Sequence, residues 1–308
     1  MSRCFIHLPK HQLRRASPDS RGFYGDLYRH LASEGVDVRF CEREFIRAHE
    51  TFEPEAFHFV HQGLVVLPNA LNTGPSYLRD FWYADPRGVF GESSIRDMVF
   101  DPATVPDHRA EAFFGWLQKR IANKRLSKHT QPQERAAFGQ GHVAVFLQGD
   151  SLPVMRAAHM SEVEMVQAIL DGVPDRDILV KRHPRNEAPV TWAALQDMAR
   201  GTPRLKLVDA NLHDMLQGAV LSCSISSSVS VEAMLHRVPA MVFGRTDFHH
   251  CAVTIARPED VAEGFEQALS TDWPFEHFLF WFFRGHCLDE RARDWFGKLK
   301  KRMTSLSA

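Results

Sequence analysis

Short apolar runs alternate with stretches whose apolar positions recur every three or four residues, and the pattern is sharpest between residues 143 and 243. There the runs 143–147, 178–180, 205–208, 219–222 and 240–243 read as strands, while 161–171, 192–199, 212–218 and 228–236 carry helical spacing. Strands that are apolar at successive positions are buried on both faces, and strict alternation with helices predicts a parallel sheet covered on both sides. The first hundred residues repeat the theme less clearly. Residues 4–8 form a strand candidate, 23–35 a helix closed by Gly35, and 36–40 a second strand. Residues 64–67 (LVVL) predict a buried strand with a loop, 68–75, at its carboxyl end. A strand around 81–83 then runs into turn chemistry at 85–88. Residues 107–129 predict a long amphipathic helix with a basic end at 124–128, and the polar stretch 130–141 reads as a linker.

Composition narrows the class. The chain has 308 residues, enough for two ordinary domains or one large one, and its 44% hydrophobic content supports a real core. A net charge of −1 gives no bulk reason to expect a nucleic-acid partner. Five scattered cysteines without CxxC spacing argue against a disulfide framework or a zinc site and fit a reducing cytoplasm. Seventeen histidines lack the spacing of a helical metal site. The amino-terminal apolar run is short for a signal peptide, and no stretch reaches spanning length.

Candidate chemistry converges on the strand ends of the second half. Three predicted strands there end in polar residues: Gln148 and Asp150 after the first, His183 followed by Pro184 after the second, and Ser227 with Ser228 after the fourth. Ligands of doubly wound sheets collect outside the carboxyl ends of the strands. A histidine beside a serine-capped helix start suits an anionic group, above all a phosphate. Glu232, one turn further along that helix, is placed to accept hydrogen bonds from ribose hydroxyls. Each feature alone has a structural explanation: an N-cap, a loop end, a solvated helix residue. The triplet Asp175–Asp177 has the DxD form of a metal-nucleotide site, but it precedes its strand at the amino edge, so no metal is expected. P-loop, GxGxxG and GxSxG patterns are missing.

Residues 143–187 (VAVFLQGDS to DILVKRHPRNE) and 226–248 (SSSVSVEAMLHRVPAMVFGRTDF) together resemble the capsule polysaccharide biosynthesis proteins, which include Kdo transferases. The resemblance implies an α/β, GT-B-like architecture of two Rossmann-like doubly wound domains facing a cleft. It assigns 1–135 to an acceptor and catalytic domain, 140–275 to the nucleotide-sugar domain, and 276–308 to a terminal helix packed back on the first. Carried over by motif, His183, Ser227 and Ser228 would hold the donor phosphate and Glu232 the ribose. Gln148, Asp150 and Lys181 would complete the nucleotide-binding set. In the first half the likeness is thinner, at 88–93 (GVFGES) and 124–128 (KRLSK). Where the family carries an acidic residue beside a glycine, this chain has Pro68, Asn69, Ala70, Leu71 and Asn72. The catalytic carboxylate then falls to Asp85, with Asp80 and Glu92 as alternatives.

The implied function is a metal-independent glycosyltransferase of surface-polysaccharide assembly that needs no cofactor and takes CMP-Kdo or a related CMP-sugar as donor. Its acceptor would be a glycan or glycolipid. Two alternatives stay open: a nucleotide-sugar epimerase of the 2-epimerase type, and a non-catalytic capsule-assembly partner that keeps the nucleotide fold. The segment 275–283 (FEHFLFWFF) reads as a buried helix, since nine residues cannot span a bilayer. Peripheral docking of a cytoplasmic protein at the inner membrane through the basic tail 298–302 stays open.

Overall fold

The apolar runs become strands in two separate six-stranded sheets. A computed structural model describes residues 2–43, 52–185 and 188–306. The chain divides into two units, one of Met1–Met98 with Phe282–Ala308 and the other of Val99–Trp281. In chain order the first unit holds β1 (Arg3–Leu8), β2 (Asp37–Glu42), β3 (Phe57–His61), β4 (Ala70–Pro75) and β5 (Phe81–Asp85). The second holds β6 (His142–Phe146), β7 (Ile178–Lys181), β8 (Leu205–Leu207), β9 (Ala219–Ser224), β10 (Ala240–Val242) and β11 (Val253–Thr254). The short β12 (Leu288–Asp289) returns to the first.

In the second unit all pairings are parallel, in the order β8-β7-β6-β9-β10-β11. β6 and β7 are buried at every position, as their uninterrupted apolar sequence requires. Helices Glu162–Gly172, Pro189–Gly201 and Val261–Ser270 cover one face, with Met165, Ile169, Leu195 and Phe265 in the core. Helices Leu212–Leu216 and Ser228–Met234 cover the other through Met215, Leu216 and Ala233. Local signals set the helix starts: Ser161 and Glu164 form a reciprocal capping box, Asn211 caps the helix after β8, and Ser227 caps the helix after β9. Chain order runs outward from β6 to β8, then jumps back across β6 to β9, so the topological switch point lies between β6 and β9.

The first sheet has the order β2-β1-β3-β4-β5-β12, parallel from β2 to β4 and antiparallel from β4 through β12. Its core gathers Ile6, Leu8, Phe23, Leu27 and Phe59 with Trp295, Phe296, Leu299 and Met303 of the closing helix Trp295–Leu306. No helix among the described residues is long and apolar enough to cross a membrane.

The strand expected at 64–67 is not there. Leu64 is 50% exposed and Val66 65%, and the strand is β4, which starts six residues later than the apolar run. Polar Asn72 makes this possible: its side chain accepts from Val65 N (3.0 Å) and donates to Val65 O (2.7 Å), satisfying a loop that lies beside the sheet. The long helix expected over 107–129 ends earlier, as Asp107–Leu117 followed by a π turn, Gln118–Ala122. The boundary also moves. Residues 124–136 are fastened within the second unit, where Arg125 pairs with Asp214 through both carboxylate oxygens (2.8 and 2.7 Å) and Ser127 Oγ donates to Glu232. The division therefore falls at 98/99 and 281/282 instead of in the polar stretch 130–141. The aromatic segment is split accordingly: Phe275 and Phe278 are buried in the second unit, Phe282 and Phe283 in the first. In the basic tail, Lys300 pairs with Glu34 (2.6 Å) and Arg302 donates to Ala84 O (3.2 Å).

Candidate functional site

Parallel pairing of β7, β6 and β9 puts three polar strand ends side by side at one edge of the second sheet. The spacing between strands brings the outer two within about 10 Å of each other. At the central strand, Gln148 and Gly149 turn the chain, and Gly149 takes φ +75°, a left-handed conformation that a side chain would strain. The Gln148 side chain crosses the switch point: its Oε1 accepts from Ser226 N (2.7 Å) and its Nε2 lies 3.4 Å from Ser226 Oγ. The turn is held from below by Glu162, whose Oε1 accepts from Gln148 N and from Gly149 N (2.9 Å).

The serine run divides its labour. Ser224 Oγ accepts from Ser227 N (3.1 Å) and meets Ser230 Oγ (3.0 Å) in the interior, and Ser227 Oγ caps Val229 N (3.2 Å). Ser228, half-buried at the first helical position, makes no side-chain hydrogen bond among the described residues. First-turn amides have no intrahelical acceptor and carry the positive end of the helix dipole.

His183 closes β7. Its Nδ1 accepts from Arg185 N (3.2 Å), which leaves the proton on Nε2. Burial, then the neighbouring Arg185 and Lys181, hold its pKa below the ordinary value, so the ring is a neutral donor at pH 7. Its ring meets His129 edge-on with centroids 4.9 Å apart, and His129 Nε2 lies 3.2 Å from the Arg185 guanidinium. Burial and the cations around it push His129 down to about 4. Lys128, half-buried in the same segment, is lowered to about 8, mainly by burial. Past the ends of β6 and β7 a cavity of about 610 Å³ opens beside the starts of two helices, lined by Leu147, Glu162, Arg182, His183, Thr191 and Trp192 among others.

Not every expected residue joins this edge. Asp150 is exposed on the turn, and Lys181 is buried against Asp209 (3.2 Å). Glu232 is neither solvated nor open to a ribose: it is buried, its Oε1 accepts from Ser127 Oγ (2.9 Å), and its Oε2 lies 3.5 Å from His213 Nε2. Burial raises its pKa to about 8. Asn186 and Glu187, which end the run resembling the family, lie outside the described residues.

In the first unit Asp85 is engaged within its own loop. Asp85, the last residue of β5, pairs with Asn72 of β4, level with Val60 of β3 and His7 of β1, one position short of the ends of those two strands. Its carboxylate accepts from Arg87 N (2.8 Å), Gly88 N (3.1 Å), Ser94 N (3.0 Å) and Ser94 Oγ (2.6 Å). It is the staple of its own loop. Gly88 is obligatory there, since a Cβ would meet Glu92 O at 2.7 Å. Asp80 faces Arg291 (3.2 Å) in the turn before β5, and Glu92 is half-buried in the stapled loop. At the carboxyl edge itself stands a residue the sequence did not single out, His61. Its Nδ1 lies 2.8 Å from Tyr24 OH and its Nε2 3.1 Å from Gln12 Nε2, and burial lowers it to about 4. Among the described residues no cluster of three or more His, Cys, Asp or Glu is arranged to hold a metal ion.

Neither a protein-family profile nor a curated protein sequence matches the chain. In fold it is similar to the beta Kdo 2,7 transferase of Thermosulfurimonas dismutans KpsC, at 10% identity and TM-score 0.53, with 100% of this chain and 99% of that chain covered. It is similar also to the beta Kdo 2,4 transferase of the same organism's KpsC, at 14% identity and TM-score 0.53, covering 89% and 88%. At such identities the likeness establishes the α/β, GT-B-like fold, and at that level the resemblance read from 143–187 and 226–248 holds.

Proposed function

We propose that this chain is a metal-independent glycosyltransferase of surface-polysaccharide assembly that takes CMP-Kdo or a related CMP-sugar as donor. The observation that carries the reading is the joint delivery of Gln148, His183 and the Ser227–Ser228 helix start by β6, β7 and β9 at the switch point. In this reading His183 Nε2–H and the first-turn amides of the helix bind the donor phosphate. They stabilise the charge that grows on it as the glycosyl bond breaks, in an environment that is already oriented. Lys128 and Arg185 add positive charge beside His183, and Gln148 fixes the distance between the two halves of the site. The acceptor is a glycan or glycolipid, and the protein works in the cytoplasm, with the tail 298–302 free to approach a membrane only through its exposed lysines.

A second reading is favoured by one observation, the engagement of Asp85 and the asparagines where the family carries an acid. It is a capsule-assembly partner that binds nucleotide without turnover. A thermal-shift screen of CMP, UDP and GDP, followed by a transfer assay with CMP-Kdo and a glycolipid acceptor, separates the cases. Stabilisation by CMP with transfer supports the proposal. CMP binding without transfer supports the partner, and preference for UDP supports a 2-epimerase-type enzyme.

A further inference from the structure

Beside His183 stands a second imidazole, and one residue orients both. At His183 the backbone amide of Arg185 donates to Nδ1 (3.2 Å), and at His129 the guanidinium of the same Arg185 reaches Nε2 (3.2 Å). An arginine has no acceptor, so Nε2 of His129 takes this hydrogen bond and the ring proton sits on Nδ1. Each ring is left with one N–H, on Nε2 of His183 and on Nδ1 of His129. Among the described residues neither N–H meets an acceptor. Neither ring is sealed in the core: both are half-buried, with centroids 4.9 Å apart and planes at 78°. Burial, then Arg185, lowers His129 to about 4, so at pH 7 it is neutral and donates without adding charge.

The segment that carries His129 is anchored from behind. Arg125 pairs with Asp214 (2.8 and 2.7 Å), Leu126 O accepts from His213 Nε2 (2.8 Å), and Ser127 Oγ donates to Glu232 Oε1 (2.9 Å). Three consecutive residues are thus fixed just before the ring. Two unengaged N–H donors, held close together by separate chain segments, suit a phosphate, whose oxygens accept from several donors at once. We propose that His129 is a further phosphate ligand of this site: His129 Nδ1–H and His183 Nε2–H bind two oxygens of one phosphate, and Arg185 is the positioning residue for both rings. This rests on the nucleotide reading above and extends its phosphate site to the segment 125–129, beyond the strand ends.

The test joins a spectrum to a titration. Nitrogen–proton correlation spectra of the free protein near neutral pH should show His129 protonated on Nδ1 and His183 on Nε2. In Arg185→Ala the His129 ring should become a mixture of tautomers, while His183, held by a backbone amide, keeps its form. Calorimetric titrations with CMP, cytidine and inorganic phosphate then compare wild type with His129→Ala, His129→Asn and His129→Gln. His129→Ala should lose about tenfold in CMP affinity, as expected for one hydrogen bond to a charged group. Asn sets an amide N–H near the place of Nδ1 and should recover CMP affinity to within about threefold of wild type, whereas Gln sets it near Nε2 and should not. Cytidine affinity should be the same in all four proteins, because a ring that only shapes the site would weaken CMP and cytidine alike. Unchanged CMP affinity in His129→Ala, equal losses for CMP and cytidine, an Asn variant no better than Ala, or a proton on His129 Nε2 in wild type overturns the proposal. If wild type binds inorganic phosphate with this variant pattern but does not bind CMP, the donor pair stands and the nucleotide reading fails. If it binds neither, both fail.

Discussion

Asp85 and Glu162 are both buried carboxylates that gather backbone amides from a neighbouring loop, and they end in opposite conditions. Asp85 spends both oxygens on Arg87, Gly88 and Ser94, and nothing of it is left over. Glu162 spends one oxygen on the Gln148 turn, and its other oxygen is buried without a hydrogen-bond partner among the described residues. The two residues also differ in place. Asp85 ends β5 beside Asn72 in the first sheet, whereas in the second unit Glu162 opens a helix and holds the turn that follows β6.

The comparison breaks first at Asp85. Replacing it with alanine orphans the amides of Arg87, Gly88 and Ser94 together and is expected to cost about 2–4 kcal/mol in denaturant unfolding of the first unit. CMP affinity should stay within about twofold of wild type in the surviving folded protein. A stable Asp85→Ala protein that has lost turnover would return Asp85 to catalysis.

Glu232 tests burial without a cavity. Its native pKa of about 8 lies above the ordinary 4.5, so between those values the native state holds a proton that the unfolded chain has released. Its contribution to stability therefore falls as pH rises from about 4.5 to 8. Lys128, lowered to about 8 from 10.5, acts in the opposite sense above that range, because there the unfolded chain binds the extra proton. Thermal melts of Glu232→Gln across pH 4.5 to 8 should show a flatter fall than wild type. Parallel profiles would mean that Glu232 is not the group that titrates.

Gln148→Leu sharpens the contrast on the other side, for it removes the clamp on Ser226 while keeping size. The expectation is a modest loss of stability, about 1 kcal/mol, with CMP affinity down by about tenfold as the two halves of the phosphate site lose their fixed spacing. Equal CMP binding would show that the clamp is only structural. The smallest expected effect is none: excess EDTA should leave CMP affinity unchanged, and recovery of a lost affinity by magnesium or manganese would bring Asp175 and Asp177 back into consideration.

What could be read from the sequence follows the range of the interactions involved. β6, β7, β9 and β10 were legible because strands buried on both faces are written as apolar runs, and the helix starts because Ser161, Glu164 and Ser227 act within a few residues of themselves. β4 was not, because a polar strand holding Asn72 and Thr73 is buried only when a side chain satisfies a distant loop at Val65. The direction of β5, and with it the position of Asp85, depends on pairing that no local pattern encodes. His183 and the serines could be named from motif and turn chemistry. Their company could not: His129 reaches Arg185 across 56 residues, and Ser127 reaches Glu232 across 105. Glu162 looks in sequence like an ordinary first-turn acid, and its burial and its bonds to the Gln148 turn are set by the fold.

The central claim is that the carboxyl edge of β7, β6 and β9 is a nucleotide-phosphate site, and one titration tests it: CMP against wild type and His183→Ala, with unliganded melting temperatures recorded alongside. His183 is half-buried and, among the described residues, accepts from the Arg185 amide and meets the His129 ring, so its loss should leave the unliganded protein nearly as stable as before. Wild type at CMP concentrations about 100 times its dissociation constant should gain about 2.7 kcal/mol, and His183→Ala should lose most of that gain. CMP binding that survives His183→Ala intact, or a variant that collapses without ligand, would contradict the account.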